Sequence, residues 1–249
     1  MNGLAALLRR ELQVALASGV TWLSCALVVL GLHTTFFLLG YPVGDMRLPG
    51  LWEGGVAALD GLFAWIPLVL CIVAPAITMS SWAEERRAGT DEFLLTQPLS
   101  IGQLVLAKFL SSWIQLGLLL TIAIVPVAVV VACLGPLDLG TALGGLLGAW
   151  LLAAPCAAIG CLASALSSDQ LAAFLVSAVV LLVLWSAALF VRVLPADLAE
   201  LAWFSSPALS YLESGARGLL NARDALHQTL FAAGALLLNV VVVEGWRWR

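Results

Sequence analysis

Long uncharged stretches of apolar residues alternate with short charged clusters along this chain. Each stretch has about the length of a helix that crosses the hydrocarbon core of a membrane, roughly 20 residues. Continuous Leu, Val and Ala runs favour helices, because barrel strands would show about ten alternating residues at a time. The pattern predicts six membrane-spanning helices. We expect them at about 18–40, 60–82, 104–134, 141–166, 170–192 and 225–243.

Composition agrees with a membrane protein. Hydrophobic residues make up 62% of the chain and charged residues 10%, with a mean hydropathy of +1.06. Soluble domains have about 45–50% apolar and about 25% charged residues. The spans and their connections use nearly all of 1–249, so we expect a single all-α transmembrane domain. The first apolar run is too long for a signal peptide and lacks a clear cleavage site, so we expect it to remain as a span.

The distribution of Lys and Arg orients the spans. Under the positive-inside rule, the side with more of these residues is cytoplasmic. We therefore expect both termini and the segment 84–103 in the cytoplasm. The richer side carries Arg9, Arg10, Arg86, Arg87, Lys108, Arg247 and Arg249, and the other side carries Arg47, Arg192, Arg217 and Arg223.

The segment 84–103 concentrates six charged residues within positions 84–92. Its first residues continue the second span, and Gly89 is expected to end that helix in a left-handed conformation. Thr90 is expected to cap a short new helix, with acidic residues in its first turn. Pro98 prevents simple continuation. Ser100 and Gln103 then form a predicted capping box at the start of the third span.

The short helix predicted within this segment presents an apolar triplet surrounded by charge. An aliphatic centre with a polar rim suits a docking site for a soluble partner. The alternative is an ordinary solvated turn, which would not explain the triplet. The candidate docking residues are Glu84, Glu85, Arg86, Gly89, Thr90, Glu92, Phe93, Leu94, Leu95, Pro98 and Ser100.

Two further segments are predicted to be helical outside the spans. Leu4, Leu8 and Leu12 recur at helical spacing around Arg9 and Arg10, which indicates an amphipathic helix along the membrane surface. Before the last span, Ser206 and Pro207 begin a helix that is either re-entrant or interfacial. Within and after it, Glu213 and Arg217 form a predicted i,i+4 pair, and Asn221 with Asp224 resembles a cap for the last span.

Gly140, Gly144 and Gly148 recur every four residues at the start of the fourth span. They lie on one helical face, where a neighbouring backbone can approach closely. The neighbour belongs either to this chain or to a second subunit, and the sequence leaves both open.

Other polar and sulfur-containing residues are scattered through the spans. We expect the cysteines to pack in the core, and His33 and His227 to be hydrogen-bonded helix residues, although His33 could line a polar cavity. Polar groups that could line a pathway more often bond carbonyls of their own bundle. The cysteines are Cys25, Cys71, Cys133, Cys156 and Cys161, and the polar groups are Thr34, Thr35, Thr78, Gln115, Ser164, Ser177 and Asn239.

Motifs for catalysis or nucleotide binding are not found in the sequence. There is no G-x-S-x-G, no H-E-x-x-H and no G-x-x-x-x-G-K-[ST] phosphate loop. We therefore expect no enzymatic activity, no metal and no cofactor on this chain. No nucleic-acid partner is expected.

Two motifs resemble those of the six-helix permeases of ABC-2 type ABC transporters, particularly the gliding-motility and NosY-like branch. The inner motif is EERRAGTDEFLLTQPLSIGQLVLAK, similar to the family's E-x-x-x-G-T-x-E-x-L-L-x-x-P-x-S followed by a Lys. The outer motif is YLESGARGLLNARDAL. Its matching positions are Arg217, Gly218, Arg223 and Asp224.

The resemblance implies that the inner segment is a coupling helix seated on a separate ATP-binding cassette subunit, which would bind ATP and Mg²⁺. It also implies two ATPase subunits and a second permease copy or a related permease in a bacterial cytoplasmic membrane. The expected function is ATP-driven export or translocation. The alternatives are an ion-driven transporter, which normally needs intramembrane acids, and a membrane anchor in a motility or assembly machine gated by an ATPase.

Overall fold

The computed structural model describes residues 2–39, 41–43, 46–48, 59–90, 99–190, 195 and 203–246. Short elements supplement the helices: a π-helical turn at Thr35–Leu39, a 3₁₀ helix at Gly215–Arg217, and the antiparallel strands β1 (Tyr41–Val43) and β2 (Met46–Leu48). The helices are α1 Asn2–Ala17, α2 Gly19–Thr34, α3 Asp60–Thr78, α4 Ser80–Ala88, α5 Ile101–Leu134, α6 Leu139–Leu166, α7 Gln170–Phe190, α8 Pro207–Glu213 and α9 Ala222–Trp246.

Six helical stretches within the described residues are long and apolar enough to cross a membrane. This confirms the predicted bundle of six spans, and the helix ends agree with the predicted spans to within a few residues at most ends. The second stretch extends furthest beyond its predicted end because α4 follows α3 almost without a break. The stretches are Gly19–Leu38, Asp60–Ala88, Ile101–Leu134, Leu139–Leu166, Gln170–Ala187 and Ala222–Trp246.

The helix α6 is the central element of the bundle. It contacts α3, α4, α5, α7 and α9. Glycines allow several of these contacts: a Cβ atom at Gly145 would overlap the ring of Phe63, and one at Gly160 would overlap the side chain of Thr78. The small residues of α6 therefore set how closely the spans pack.

Two apolar clusters form the core. The larger one joins α2, α3, α5 and α6 and extends to α8 and α9. The smaller one lies where α4 and α5 begin and where α6 and α9 end. Its buried members are Trp82, Ile101, Leu104, Val105, Ala165 and Val243.

The segment 2–17 is helical, as its amphipathic pattern predicts, and this helix α1 packs along α5, a contact that the pattern did not indicate. Arg9 and Arg10 are exposed, whereas Leu7 packs against the smaller cluster. A Cβ atom at Gly3 would lie 2.9 Å from Cδ2 of Leu99. The helix thus lies against the residue that immediately precedes the capping box.

Candidate functional site

The helix α4 ends at Gly89 as predicted. Gly89 adopts a left-handed conformation with φ of 67°. Its N–H donates to the carbonyl of Arg86 at 3.3 Å, and the N–H of Thr90 donates to the carbonyl of Glu85 at 2.9 Å. This pair of hydrogen bonds is the Schellman motif, which satisfies carbonyls at the helix end. The hydroxyl of Thr90 also donates to the Glu85 carbonyl, at 3.3 Å.

The predicted coupling helix lies largely outside the described residues, because these end at Thr90 and resume at Leu99. Glu92, Phe93, Leu94, Leu95 and Pro98 belong to that stretch. Their role in docking stays a prediction.

The third span begins with the predicted capping box. The N–H of Gln103 donates to Oγ of Ser100 at 3.3 Å, and the N–H of Ser100 donates to Oε1 of Gln103 at 3.1 Å. Leu99 and Leu104 both pack in the smaller cluster, as a hydrophobic staple requires. The helix that precedes the 91–98 stretch and the residue that follows it therefore contact the same apolar cluster, through Trp82 and Leu99.

Three of the candidate docking residues precede Gly89 and differ in exposure. Glu84 is exposed. Arg86 donates from Nη1 to the carbonyl of Ala165 at 3.2 Å, and its guanidinium lies 4.9 Å from the centre of the Trp246 ring. Glu85 binds Lys108 through one oxygen at 2.7 Å. Arg86 and Glu85 thus make contacts within this chain, which reasoning from the sequence did not anticipate.

Lys108 is the centre of a buried polar cluster. Its side chain is only 3% exposed. The ammonium lies 2.7 Å from Glu85, 3.8 Å from Glu11 and 2.6 Å from the carbonyl of Ser81. It also lies 4.8 Å from the centre of the Trp82 ring, within the range of a cation–π contact. The cluster connects α1, α4 and α5.

The outer helix α8 is inserted into the bundle and does not lie on its surface. Ser206 caps it by accepting from the N–H of Leu209 at 3.3 Å, and Pro207 is its first residue, as predicted. Its residues from Pro207 to Leu212 are all buried. The hydroxyl of Tyr211 donates to the carbonyl of Phe63 in α3 at 3.3 Å. Burial of this helix inside the bundle favours the re-entrant alternative over the interfacial one.

Two of the three spaced glycines contact the turn after α8. A Cβ atom at Gly144 would overlap the carbonyl of Gly218, and one at Gly148 would lie 3.0 Å from Cα of Gly215. Gly140 is exposed near the start of α6, where its N–H donates to Asp138. The neighbour of Gly144 and Gly148 is thus a segment of this chain.

The predicted pair between Glu213 and Arg217 is not formed in the described chain. The helix α8 ends at Glu213, and a turn at Ser214 leads into the 3₁₀ helix, so the side chains do not have the spacing of one continuous helix. Oε2 of Glu213 instead accepts from Nε1 of Trp203 at 2.7 Å.

Trp203 also contacts two side chains of α9. The guanidinium of Arg223 lies 4.0 Å from the centre of one of its rings, and the ring of His227 stacks on it at 4.9 Å. Asp224 accepts a hydrogen bond from the hydroxyl of Ser214 at 2.5 Å, which links α9 to the turn after α8. Reasoning from the sequence missed Trp203, because a single tryptophan carries no signal of these partners.

Comparison with known families identifies the family of this chain. A sequence model of the family described as ABC-2 family transporter protein matches residues 5–212. The chain belongs to this family. It is therefore a multi-pass membrane protein and the permease component of an ABC transporter, a class that works with an ATP-binding subunit. No curated protein matches the sequence.

The matched region of the ABC-2 permease begins in α1 and ends in α8. It includes α4, the start of α5 and the glycines of α6. The polar cluster around Lys108 also lies within it.

Several polar groups in the spans of the permease are bonded to its own helices. Thr35 donates to the carbonyls of Gly31 and Leu32. Thr78 donates to the carbonyl of Ala74 at 2.7 Å, and Nε2 of His33 lies 2.9 Å from the carbonyl of Ala123. Asn239 differs, because it is fully buried and neither its amide oxygen nor its nitrogen has a hydrogen-bond partner in the described chain.

Ser164 forms hydrogen bonds with the backbone at the point where α3 is followed by α4. Its Oγ accepts from the N–H groups of Trp82 and Ala83 at 3.0 and 3.1 Å and donates to the carbonyl of Met79 at 2.9 Å. Ser164→Ala leaves buried polar groups without partners, so we expect it to lower the free energy of unfolding by about 2 kcal/mol. Thermal unfolding in detergent measures the loss.

Ser177→Ala is the matched control for Ser164→Ala. Ser177 is 1% exposed, and its hydroxyl has no hydrogen-bond partner in the described chain. Its removal should leave the unfolding temperature unchanged or raise it. Equal losses from the two substitutions would contradict the role of Ser164.

Proposed function

We propose that this permease couples ATP hydrolysis by a separate nucleotide-binding subunit to the export of a substrate, through the segment 84–103. The observation that carries the proposal is that hydrogen bonds fix the backbone on both sides of the stretch between Gly89 and Ser100. Gly89 ends α4 with two hydrogen bonds, and Ser100 starts α5 with a reciprocal pair. Movement of the residues between them would pass to both spans.

The contacts around these ends favour transmission as a rigid unit. Trp82, just before the charged end of α4, and Leu104 in the first turn of α5 are each about 1% exposed and lie in the same cluster. Lys108 adds an ion pair between the two helices. A force applied by a partner on 91–98 would therefore act on two helices, α4 and α5, that are packed together and joined by an ion pair.

The family and the motifs support the remaining parts of the proposed assembly. The partner is a pair of ATP-binding cassette subunits that hold ATP and Mg²⁺, and this chain performs no catalysis itself. A second permease, identical or related, completes the pathway. The inner motif favours the gliding-motility and NosY-like branch. The larger number of Lys and Arg residues on one side of the spans supports cytoplasmic termini. The resemblance to bacterial permeases supports a location in the inner membrane.

Co-purification with the ATP-binding cassette protein encoded beside it tests the coupling role. The native chain is compared with Leu94→Asp/Leu95→Asp, which places two charges in the apolar triplet. Central apolar anchors contribute about 2 kcal/mol or more each, so we expect recovery of the complex and its ATPase activity to fall at least about tenfold.

The matched control is Leu219→Asp/Leu220→Asp, the same double change at the other end of the bundle. These leucines are 56% and 48% exposed. The control should keep the ATPase, and both variants should elute from gel filtration as the native permease does. If Leu94→Asp/Leu95→Asp retains the ATPase as well as the control does, the docking role is wrong.

A further inference from the structure

A groove lies between α1 and the helices α4 and α5, at the end of the bundle that carries the N-terminal helix. Its volume is ≈ 570 Å³. Charged side chains form one part of its wall, and apolar residues such as Val14 and Ile77 form another. The charged members are Arg10, Glu11, Glu84, Glu85 and Lys108.

A polar stripe of α5 borders the groove. Lys108, Ser111, Ser112 and Gln115 have the spacing i, i+3, i+4 and i+7, which puts them on one helical face. They are between 3% and 6% exposed. Polar groups in a membrane span are costly, and they are found where they bond one another or line a functional cavity.

Ser111 has no hydrogen-bond partner among the described residues, although it is only 5% exposed. The other members of the stripe are bonded. Lys108 binds Glu85, Ser112 donates to the Lys108 carbonyl at 3.1 Å, and Gln115 donates to Thr21 at 2.5 Å. Because Ser111 lines the groove and its hydroxyl bonds no described residue, this hydroxyl is open to the groove and can bond a polar group there.

Glu85 provides a second group without a partner. Its Oε1 binds Lys108, whereas its Oε2 is buried and accepts no hydrogen bond in the described chain. Leaving a buried charged acceptor without a donor costs free energy. Because Glu85 borders the groove, a rotation of its carboxylate would present this oxygen to a donor inside.

The net charge of the groove lining indicates which kind of hydrogen-bond donor the ligand carries. Three carboxylates face two cations, so the groove carries an excess of one negative charge. A primary ammonium group would balance this charge and supply up to three hydrogen bonds. Arg10, which is exposed on the groove wall, suits a phosphate.

Apolar surface beside the charged wall indicates that the ligand is amphipathic. Val14 borders the groove and is 64% exposed, and Leu16 and Val20 nearby in sequence are 43% and 39% exposed. In a membrane protein these side chains face acyl chains. A free amine would leave this part of the groove uncovered.

We propose that the groove binds the headgroup of a phospholipid that carries a primary amine. The ammonium lies between Glu85 and Ser111, and the phosphate lies toward Arg10. The acyl chains follow the apolar surface around Val14. The inference rests on the groove alone and holds whether or not ATP drives transport.

Thermal unfolding of the full chain in detergent tests the proposal. The protein is titrated with short-chain phosphatidylethanolamine or with phosphatidylcholine of the same chain length. The second lipid has no N–H donor, so we expect about tenfold weaker binding. Free phosphoethanolamine is the third ligand, and it should bind more weakly than the amine lipid.

Two variants locate the site. Ser111→Leu fills the floor of the groove without removing an ion pair, and it should abolish the preference for the amine lipid. Thr229→Leu, exposed on α9 outside the groove, is its matched control. Glu84→Gln keeps the fold because Glu84 is exposed, and it should reduce the preference by about threefold.

Three results would overturn the proposal. The first is equal binding of the two lipids by the native chain. The second is an undiminished preference in both Ser111→Leu and Glu84→Gln. Binding of free phosphoethanolamine as tight as that of the lipid would assign the groove to a soluble amine instead.

Discussion

Replacing Gly144 with alanine is expected to prevent most of the protein from folding. The added Cβ would overlap the carbonyl oxygen of Gly218. Gly218 cannot move away easily, because its φ is 72° and a Cβ atom on it would already overlap the backbone of Thr141. Contacts between backbones relax less than contacts between side chains, so we expect a loss above about 4 kcal/mol. The yield of monodisperse protein and its unfolding temperature measure the effect.

Gly234→Ala is the control for this substitution. Gly234 is also a glycine inside a membrane-spanning helix, but apart from the adjoining residues of its own helix no atom lies within 4 Å of the position its Cβ would take. Alanine favours helix more than glycine does, so the control should be neutral or slightly stabilising. Similar yields of the two variants would show that α6 and the turn after α8 do not pack this closely.

Removing the Lys108 ammonium is expected to have the second largest effect. Lys108→Met keeps the length of the side chain and leaves the carboxylates of Glu85 and Glu11 without their cation. These are 20% and 22% exposed, so they are only partly solvated. Breaking a buried ion pair by removing one partner costs about 3–5 kcal/mol. Thermal unfolding in detergent should show the loss.

A double variant separates the ion pair from the packing of Lys108. Adding Glu85→Gln to Lys108→Met removes the nearer of the two uncompensated charges, the one 2.7 Å from the ammonium, so it should recover more than half of the lost stability. Arg9→Met, which removes an exposed cation from α1, controls for the change in net charge and should have little effect. If the double variant is no more stable than Lys108→Met, the ion pair is not the source of the stability.

Local chemistry explains why much of this fold could be predicted from the sequence. The spans follow from uninterrupted apolar runs, because a helix satisfies its own backbone in a membrane. Gly89, Ser100 and Ser206 mark helix ends because each acts within a few residues of its position. These predictions need no knowledge of what the rest of the chain does.

The contacts that sequence reasoning missed join distant parts of the chain. Lys108 lies 23 residues from Glu85 and 97 from Glu11 in the sequence, and no local pattern indicates that they meet. The pairing of Glu213 with Arg217 was wrong for a related reason. The Ser214 hydroxyl bonds Asp224 in another helix, and the chain turns where a continuous helix was expected. The spacing of the polar stripe on α5 was the signal that could have revealed the groove.

The position of α8 also has a consequence for the order in which the protein is made. The turn that covers Gly144 and Gly148 is synthesised about 70 residues after these glycines. At about 5–20 residues per second, the ribosome needs several seconds to supply it. During that interval the first four spans are already present. The face of α6 that carries Gly144 and Gly148 is then uncovered, and lipid must occupy the space beside it. Nascent chains stalled before residue 207 should therefore leave this face of α6 open to a membrane-soluble crosslinker, and full-length chains released from the ribosome should not.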